Sequence, residues 1–130
     1  MTPGKKSFSK EERLKSRKEI SRIFKNGIFL YSDSLSLGYT YSEKNKFAVS
    51  VPKRLFKSAV VRNKIKRRIR ESYRLNKNIL HNYSTKFGQH FNVLIIYRHN
   101  TPLPYQAIRE ELVFLLEKLI ETNKKRPEFL

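Results

Sequence analysis

Residues 53–74 constrain this chain more than any other segment. Ten of these 22 residues are Lys or Arg, and Glu71 is the only acid. The same segment carries Val61, Ile65, Ile69 and Tyr73 at helical spacing. At about 100° per residue these four fall within an arc of about 120°, one apolar stripe. Asn63, Lys66, Arg67, Arg70 and Arg74 fall between about 140° and 240° on the same projection. Arg62 lies at the edge of the apolar stripe, and Lys64 and Arg68 lie on its other flank. Such a helix commits one side to a core and turns a cation cluster outward. Like charges at i,i+4 destabilise a helix, so a face this unbalanced calls for a partner that neutralises it.

The cluster is local. The net charge of +18 over 130 residues has half its excess in residues 53–74, and residues 28–52 are neutral. That distribution is the footprint of phosphate contacts rather than of a generally soluble surface. Arginine offers a planar fork to phosphate oxygens. Asn63 adds a neutral donor and acceptor suited to a base edge or a 2′-hydroxyl. A membrane partner is not expected, because Val61, Ile65 and Ile69 are needed for the core and no apolar face remains for lipid. A DNA partner is not expected either, since neither zinc-finger spacing nor a heptad run is present.

Hydrophobic residues make up 38% and aromatics 12%, enough for one modest core. With no cysteine, disulfides, thiolate metal sites and cysteine nucleophiles are excluded. The opening residues MTPGKKSFSKEE hold no apolar run of the kind a secretory signal has, and apolar runs such as Val93 to Tyr97 reach only five residues, far short of the roughly 20 residues of a membrane span. The expectation is a soluble, cytoplasmic protein forming a single RNA-binding domain over residues 1–130. Its folded core is expected over about 8–122, with mobile tails at 1–7 and 123–130.

Ser16 and Glu19 fit a capping box, with Ser9 and Glu12 a second candidate. Ile20, Ile23 and Phe24 then recur at helical spacing up to Asn26-Gly27, which predicts a helix over 17–26. Residues 28–31 form a short apolar stretch. Leu35 to Tyr41 alternates with period two, and Phe47 to Val51 reads as a strand that Pro52 ends. The turn at 42–45 suggests an antiparallel meander. A helix follows from 57 or 58 to about 75, then a polar loop to about 90. Phe91 to Arg98 reads as a central strand. A last helix over about 105–122 carries Ile108, Leu112, Leu115, Leu116 and Leu119 on one face.

The stretch Ala59-Val60-Val61-Arg62-Asn63-Lys64-Ile65-Lys66-Arg67-Arg68-Ile69-Arg70-Glu71 resembles the protein subunit of bacterial ribonuclease P. That family's signature runs from an Ala-Val segment into Arg-Asn-Arg, then Ile-Lys-Arg and Arg-Glu. Phe47-Ala48-Val49-Ser50-Val51-Pro52-Lys53-Arg54 is similar to the strand preceding it. Residues 19–27 resemble the family's first helix, and Asn92 to Arg98 its last strand. The resemblance spans roughly residues 8–120. Three positions depart from it: Lys64 replaces the second arginine of the core motif, Lys57-Ser58 replaces a glycine-containing turn, and Asn92 stands where aspartate is common.

The resemblance implies an α+β fold, an α/β sandwich with a small sheet of about four strands in the order αβββαβα and a left-handed βαβ crossover. It implies a subunit that assists removal of the 5′ leader from precursor tRNA, with the chemistry and its Mg2+ held mainly by a large catalytic RNA. Carried over by motif position, Arg62, Asn63, Lys64, Lys66, Arg67, Arg70 and Arg74 face the catalytic RNA or nearby substrate, flanked by Lys53 and Arg54. Ile20 and Phe24 occupy first-helix positions where the family lines a leader cleft. Tyr39 and Tyr41, on one face of a strand, are further candidates for stacking a leader base.

The residues themselves offer no catalytic constellation. Asp33 is the only aspartate, Glu11-Glu12 and Glu110-Glu111 are adjacent pairs, His81, His90 and His99 lack metal-ligand spacing, and the four glycines form no phosphate loop. No metal site on the protein is expected. The alternative reading is a structural ribosomal or RNA-chaperone protein with a similar basic helix.

Overall fold

The computed structural model describes residues 9–124; the expected tail at 1–7 lies outside the described residues, and of the expected tail at 123–130 only residues 123 and 124 are described, both within the last helix rather than in a tail. One 3-10 turn, Lys10–Glu12, starts where the Ser9 N–H donates to Glu12 Oε1 at 3.1 Å. The chain then runs extended, and the Leu14 N–H donates to the Phe47 carbonyl. Helix α1, Arg17–Asn26, is capped by Ser16, whose hydroxyl accepts from the Glu19 N–H at 3.2 Å. Both capping candidates are therefore used, each for its own turn.

Strands β1 (Ile28–Tyr31) and β2 (Leu35–Ser42) form an antiparallel hairpin. Strand β3, Lys46–Ser50, does not continue it. Helices α2 (Ala59–Asn76) and α3 (Asn78–Phe87) intervene before strand β4 (His90–Tyr97), and β4 inserts between β2 and β3. The sheet order is β1-β2-β4-β3, with β4 antiparallel to β2 and parallel to β3. The meander expectation is thus corrected. The physical reason lies in β4, the most apolar strand, with Phe91, Val93, Leu94, Ile95 and Tyr97 all buried; such a strand is stable only with neighbours on both edges. The βαβ unit implied by the resemblance is present, because β3 and β4 are parallel neighbours joined through α2 and α3.

Helix α3 corrects a second expectation, the polar loop from 76 to 90. Lys77 holds helical backbone geometry, so α3 follows α2 with almost no break. It buries Leu80 and Tyr83, and ends at Gly88 in the left-handed conformation, φ 71°, where glycine carries no Cβ penalty. Helix α4 spans Tyr105–Lys124, two residues past the expected end. Asn123 explains the extension: it is buried, donating to the Leu119 carbonyl and the Tyr39 hydroxyl and accepting from the Tyr41 hydroxyl.

The main core lies between the sheet and helices α2, α3 and α4. It gathers Leu35, Leu37, Tyr39, Phe47, Val93, Ile95 and Tyr97 with Ile65, Ile69, Tyr73, Leu80 and the apolar stripe of α4. Each fully buried aliphatic side chain here is worth about 1.5–3 kcal/mol relative to exposure. The opposite face holds a smaller cluster of Leu14, Ile23 and Leu94, with Ile20, Phe29, Ala48 and Ile96 packed against it. Helix α1 packs on that second face against β2 and β4.

Candidate nucleic-acid interface

The docking of α2 decides which cations face outward. Ser58 caps the helix by accepting from the Val61 N–H, and Ile65, Ile69, Ser72 and Tyr73 are buried. Tyr73 stacks on Phe47 with ring centroids 3.9 Å apart, which fixes the helix rotation over β3. Asn63, Lys64, Arg67 and Arg70 are exposed as a result, and Lys66 is half-buried. No carboxylate among the described residues pairs with Lys64, Lys66, Arg67 or Arg70. Partial desolvation of the Arg70 guanidinium, and after it the nearby Arg13, lower its pKa from the ordinary value. Arg13, Asn63, Arg67, Arg70, Glu71 and Arg74 line one open recess of about 410 Å3. Lys53 and Arg54 are exposed in the turn closed by the Leu55 N–H and the Pro52 carbonyl.

Two residues of the expected set have other engagements. Arg62 Nη1 donates to the Phe56 and Lys57 carbonyls at 2.8 and 2.9 Å, so its guanidinium holds the loop that leads into α2. Arg74 donates to both oxygens of Glu71, at 3.1 and 2.6 Å, and this pairing lowers the Glu71 pKa. Beyond the recess, Arg68 is turned aside and donates to the Leu103 carbonyl at 2.7 Å. A helical projection places these residues on a face but does not reveal a carbonyl or carboxylate within reach. Arg13, absent from the expected set, joins the recess because its segment runs beside β3.

The four cleft candidates do not gather at one place. Phe24 is 57% exposed and its ring lies 6.4 Å from that of Phe29. Ile20 packs beside Ile23 on the same side of the sheet. Tyr39 and Tyr41 lie on the opposite face, against α4. Tyr39 is 1% exposed, with its hydroxyl bonded to Asn123, and offers no ring face to a base. Its candidacy is corrected: period two puts it on the core side of β2. Tyr41 is 49% exposed, its hydroxyl donates to Asn123 at the end of α4, and it lines a recess with Glu19 and Arg22 of α1. Among the described residues, no group of three or more His, Asp or Glu converges as a metal site, and no helix is long and apolar enough to cross a membrane.

The family model described as Ribonuclease P matches residues 8–120. The chain belongs to the ribonuclease P protein family. Relatives named ribonuclease P protein component include one from Clostridium botulinum (strain 657 / Type Ba4), 35% identical over 114 residues, covering 84% of this chain and 95% of the relative. One from Dictyoglomus turgidum is 35% identical over 119 residues, covering 85% and 91%. The match to the Porphyromonas gingivalis relatives is 39% identical over 84 residues and spans 61% of their length. Among solved structures, the RNase P protein of Thermotoga maritima superposes with a TM-score of 0.68 at 25% identity, covering 82% of this chain and 96% of that one. The Staphylococcus aureus RNase P protein gives 0.69 at 24%, covering 83% and 94%. The fold of this family is the one described above, a four-stranded mixed sheet with four helices.

Proposed function

We propose that this chain is the protein subunit of a ribonuclease P, binding the catalytic RNA and the 5′ leader of precursor tRNA while the RNA carries out the endonucleolytic cut. The observation that carries this reading is the outward face of α2, where, among the described residues, exposed Lys64, Arg67 and Arg70 form no ion pair with a carboxylate, and Arg67 and Arg70 share a recess with Asn63 and Arg13. Such a face costs folding free energy alone and gains it against phosphates. Lys53 and Arg54 add exposed cations in the loop between β3 and α2, and Phe24 supplies an exposed ring on α1. On this reading the Mg2+ that cleavage requires is held mainly by the RNA, and the protein works in the cytoplasm. Membership of the family disfavours the ribosomal or chaperone alternative.

Retention of a bacterial ribonuclease P RNA by the purified chain, in the presence of excess unrelated structured RNA, tests the proposal. Selective retention is the expected result. Equal competition by any structured RNA would return the chain to the chaperone class.

A further inference from the structure

Six residues line the α2 recess, and Arg13 alone among them comes from outside the helix. It follows the 3-10 turn Lys10–Glu12 in extended backbone, with φ −89° and ψ 128°. An arginine in such a segment has many rotamers open to it, and ordering so long a side chain costs entropy. Charge works against order as well. Arg13 lies near enough to Arg70 to lower the Arg70 pKa, so the two guanidinium groups repel. Left to itself, the Arg13 side chain would swing away into water.

Two anchors, one on each side of Arg13, oppose that. On its C-terminal side Leu14 is buried in the smaller core cluster, and the Leu14 N–H donates to the Phe47 carbonyl at 3.0 Å. On its N-terminal side the Glu12 carboxylate accepts two bonds from the Lys77 ammonium, at 2.9 and 2.8 Å, and one from the Ser9 N–H at 3.1 Å. Both anchors lead back to α2. Phe47 stacks on Tyr73 of that helix, and Lys77 is the residue that follows it, about two turns beyond Arg70. The segment carrying Arg13 is thus fixed to the same helix that carries the rest of the recess. A buried ion pair adds little stability over an apolar contact of the same size, because desolvation offsets the attraction. What the pair adds here is direction: two bonds to one carboxylate fix where the next residue stands.

We infer that Glu12 and Lys77 are positioning residues for RNA binding: their ion pair holds Arg13 in the α2 recess, where its guanidinium meets a phosphate of the catalytic RNA. The inference rests on the RNA-binding reading of α2 given above and adds to it how the recess is completed. Neither Glu12 nor Lys77 touches the RNA. Glu12 is an acid whose charge Lys77 cancels, and Lys77 is buried, out of reach of a phosphate. Both act through Arg13. The recess then gathers Arg13, Arg67 and Arg70 around Asn63, with one of its cations supplied by a segment 50 residues away from Asn63 in sequence.

The test measures binding of the full chain to a bacterial ribonuclease P RNA over a series of salt concentrations. Arg13→Ala is expected to reduce the log–log salt slope by about one, as for one lost phosphate contact. Glu12→Gln alone strands a buried ammonium, so the deciding variant is Glu12→Gln with Lys77→Met, which loses both charges together and leaves the net charge unchanged. It is expected to reduce the slope as Arg13→Ala does, and adding Arg13→Ala to it is expected to reduce the slope no further. A residue that only stabilised the fold would not produce that non-additivity. A wild-type slope in the Glu12→Gln, Lys77→Met variant, or in Arg13→Ala, would overturn the inference, as would losses that simply add. An unchanged slope in the Arg67→Ala, Arg70→Ala variant would instead overturn the reading of α2 itself.

Discussion

The Lys77 ammonium donates to both carboxylate oxygens of Glu12, at 2.9 and 2.8 Å. In a chain of this charge most cations are solvated, yet Lys77 is 4% exposed. It sits where α2 passes into α3, and Glu12 reaches it from the first turn of the described chain, so the pair ties the N-terminal segment to the helical layer. Removing the carboxylate from a buried ammonium costs far more than breaking a surface pair. Glu12→Gln is expected to lower the unfolding free energy by about 3 kcal/mol, the low end for such pairs because Glu12 still reaches solvent. Adding Lys77→Met should recover most of that loss. Urea unfolding of the two variants checks both; a loss below about 1 kcal/mol for Glu12→Gln would make this an ordinary surface bridge.

The α2 cations divide by their engagements, and salt dependence separates them. Arg67→Ala with Arg70→Ala should weaken binding to the catalytic RNA and reduce the log–log salt slope by about 1.5–2, near one per lost phosphate contact. Arg62→Ala should change the slope little. Its effect should appear as a loosened loop over 52–58, read by amide hydrogen exchange, because its guanidinium serves the Phe56 and Lys57 carbonyls. An unchanged slope in the double variant would mean that another face meets the RNA.

Those divisions show what sequence could and could not reveal. Helix α1, both hairpin strands and the stripes of α2 and α4 were legible because their apolar periods are strong and Ser16 and Gly27 mark the first helix. Helix α3 escaped because Asn78, His81, Asn82, Ser84 and Thr85 are weak helix formers and Lys77 gives no capping signal. Its apolar residues Ile79, Leu80, Tyr83 and Phe87 do carry helical spacing and were the available signal. The pairing of β3 escaped because sequence adjacency favours a hairpin, whereas the burial of β4 decides the order. Tyr39 and Tyr41 do share one strand face, but which face meets solvent depends on α4, which buries Tyr39.

Close contact at Gly38 gives a stability prediction. Gly38→Ala would drive a methyl into the Phe29 ring and Ile23. Overpacking of this kind costs about 1–3 kcal/mol, and chemical denaturation should show a loss in that range. A gain in stability would mean that Phe29 can move aside freely.

His81 gives the chain a pH dependence of definite sign. Burial, aided by Lys77 and His90 and opposed by Glu12, lowers its pKa below the ordinary histidine value. The unfolded chain therefore takes up the proton at higher pH than the folded chain does. The His81 contribution is fully present above the ordinary histidine range and is lost as pH falls through it. Unfolding free energies measured between about pH 7 and 5 should fall with acidification, and His81→Gln should flatten that fall. The same slope in both proteins would assign the effect elsewhere.

The most direct measurement is leader removal from precursor tRNA by a bacterial ribonuclease P RNA at low magnesium, with and without this chain. The account predicts clear stimulation when the protein is added, loss of that stimulation in the Arg67→Ala and Arg70→Ala double variant, and no cleavage by the protein alone. Failure to stimulate, or cleavage by the protein without the RNA, would contradict it.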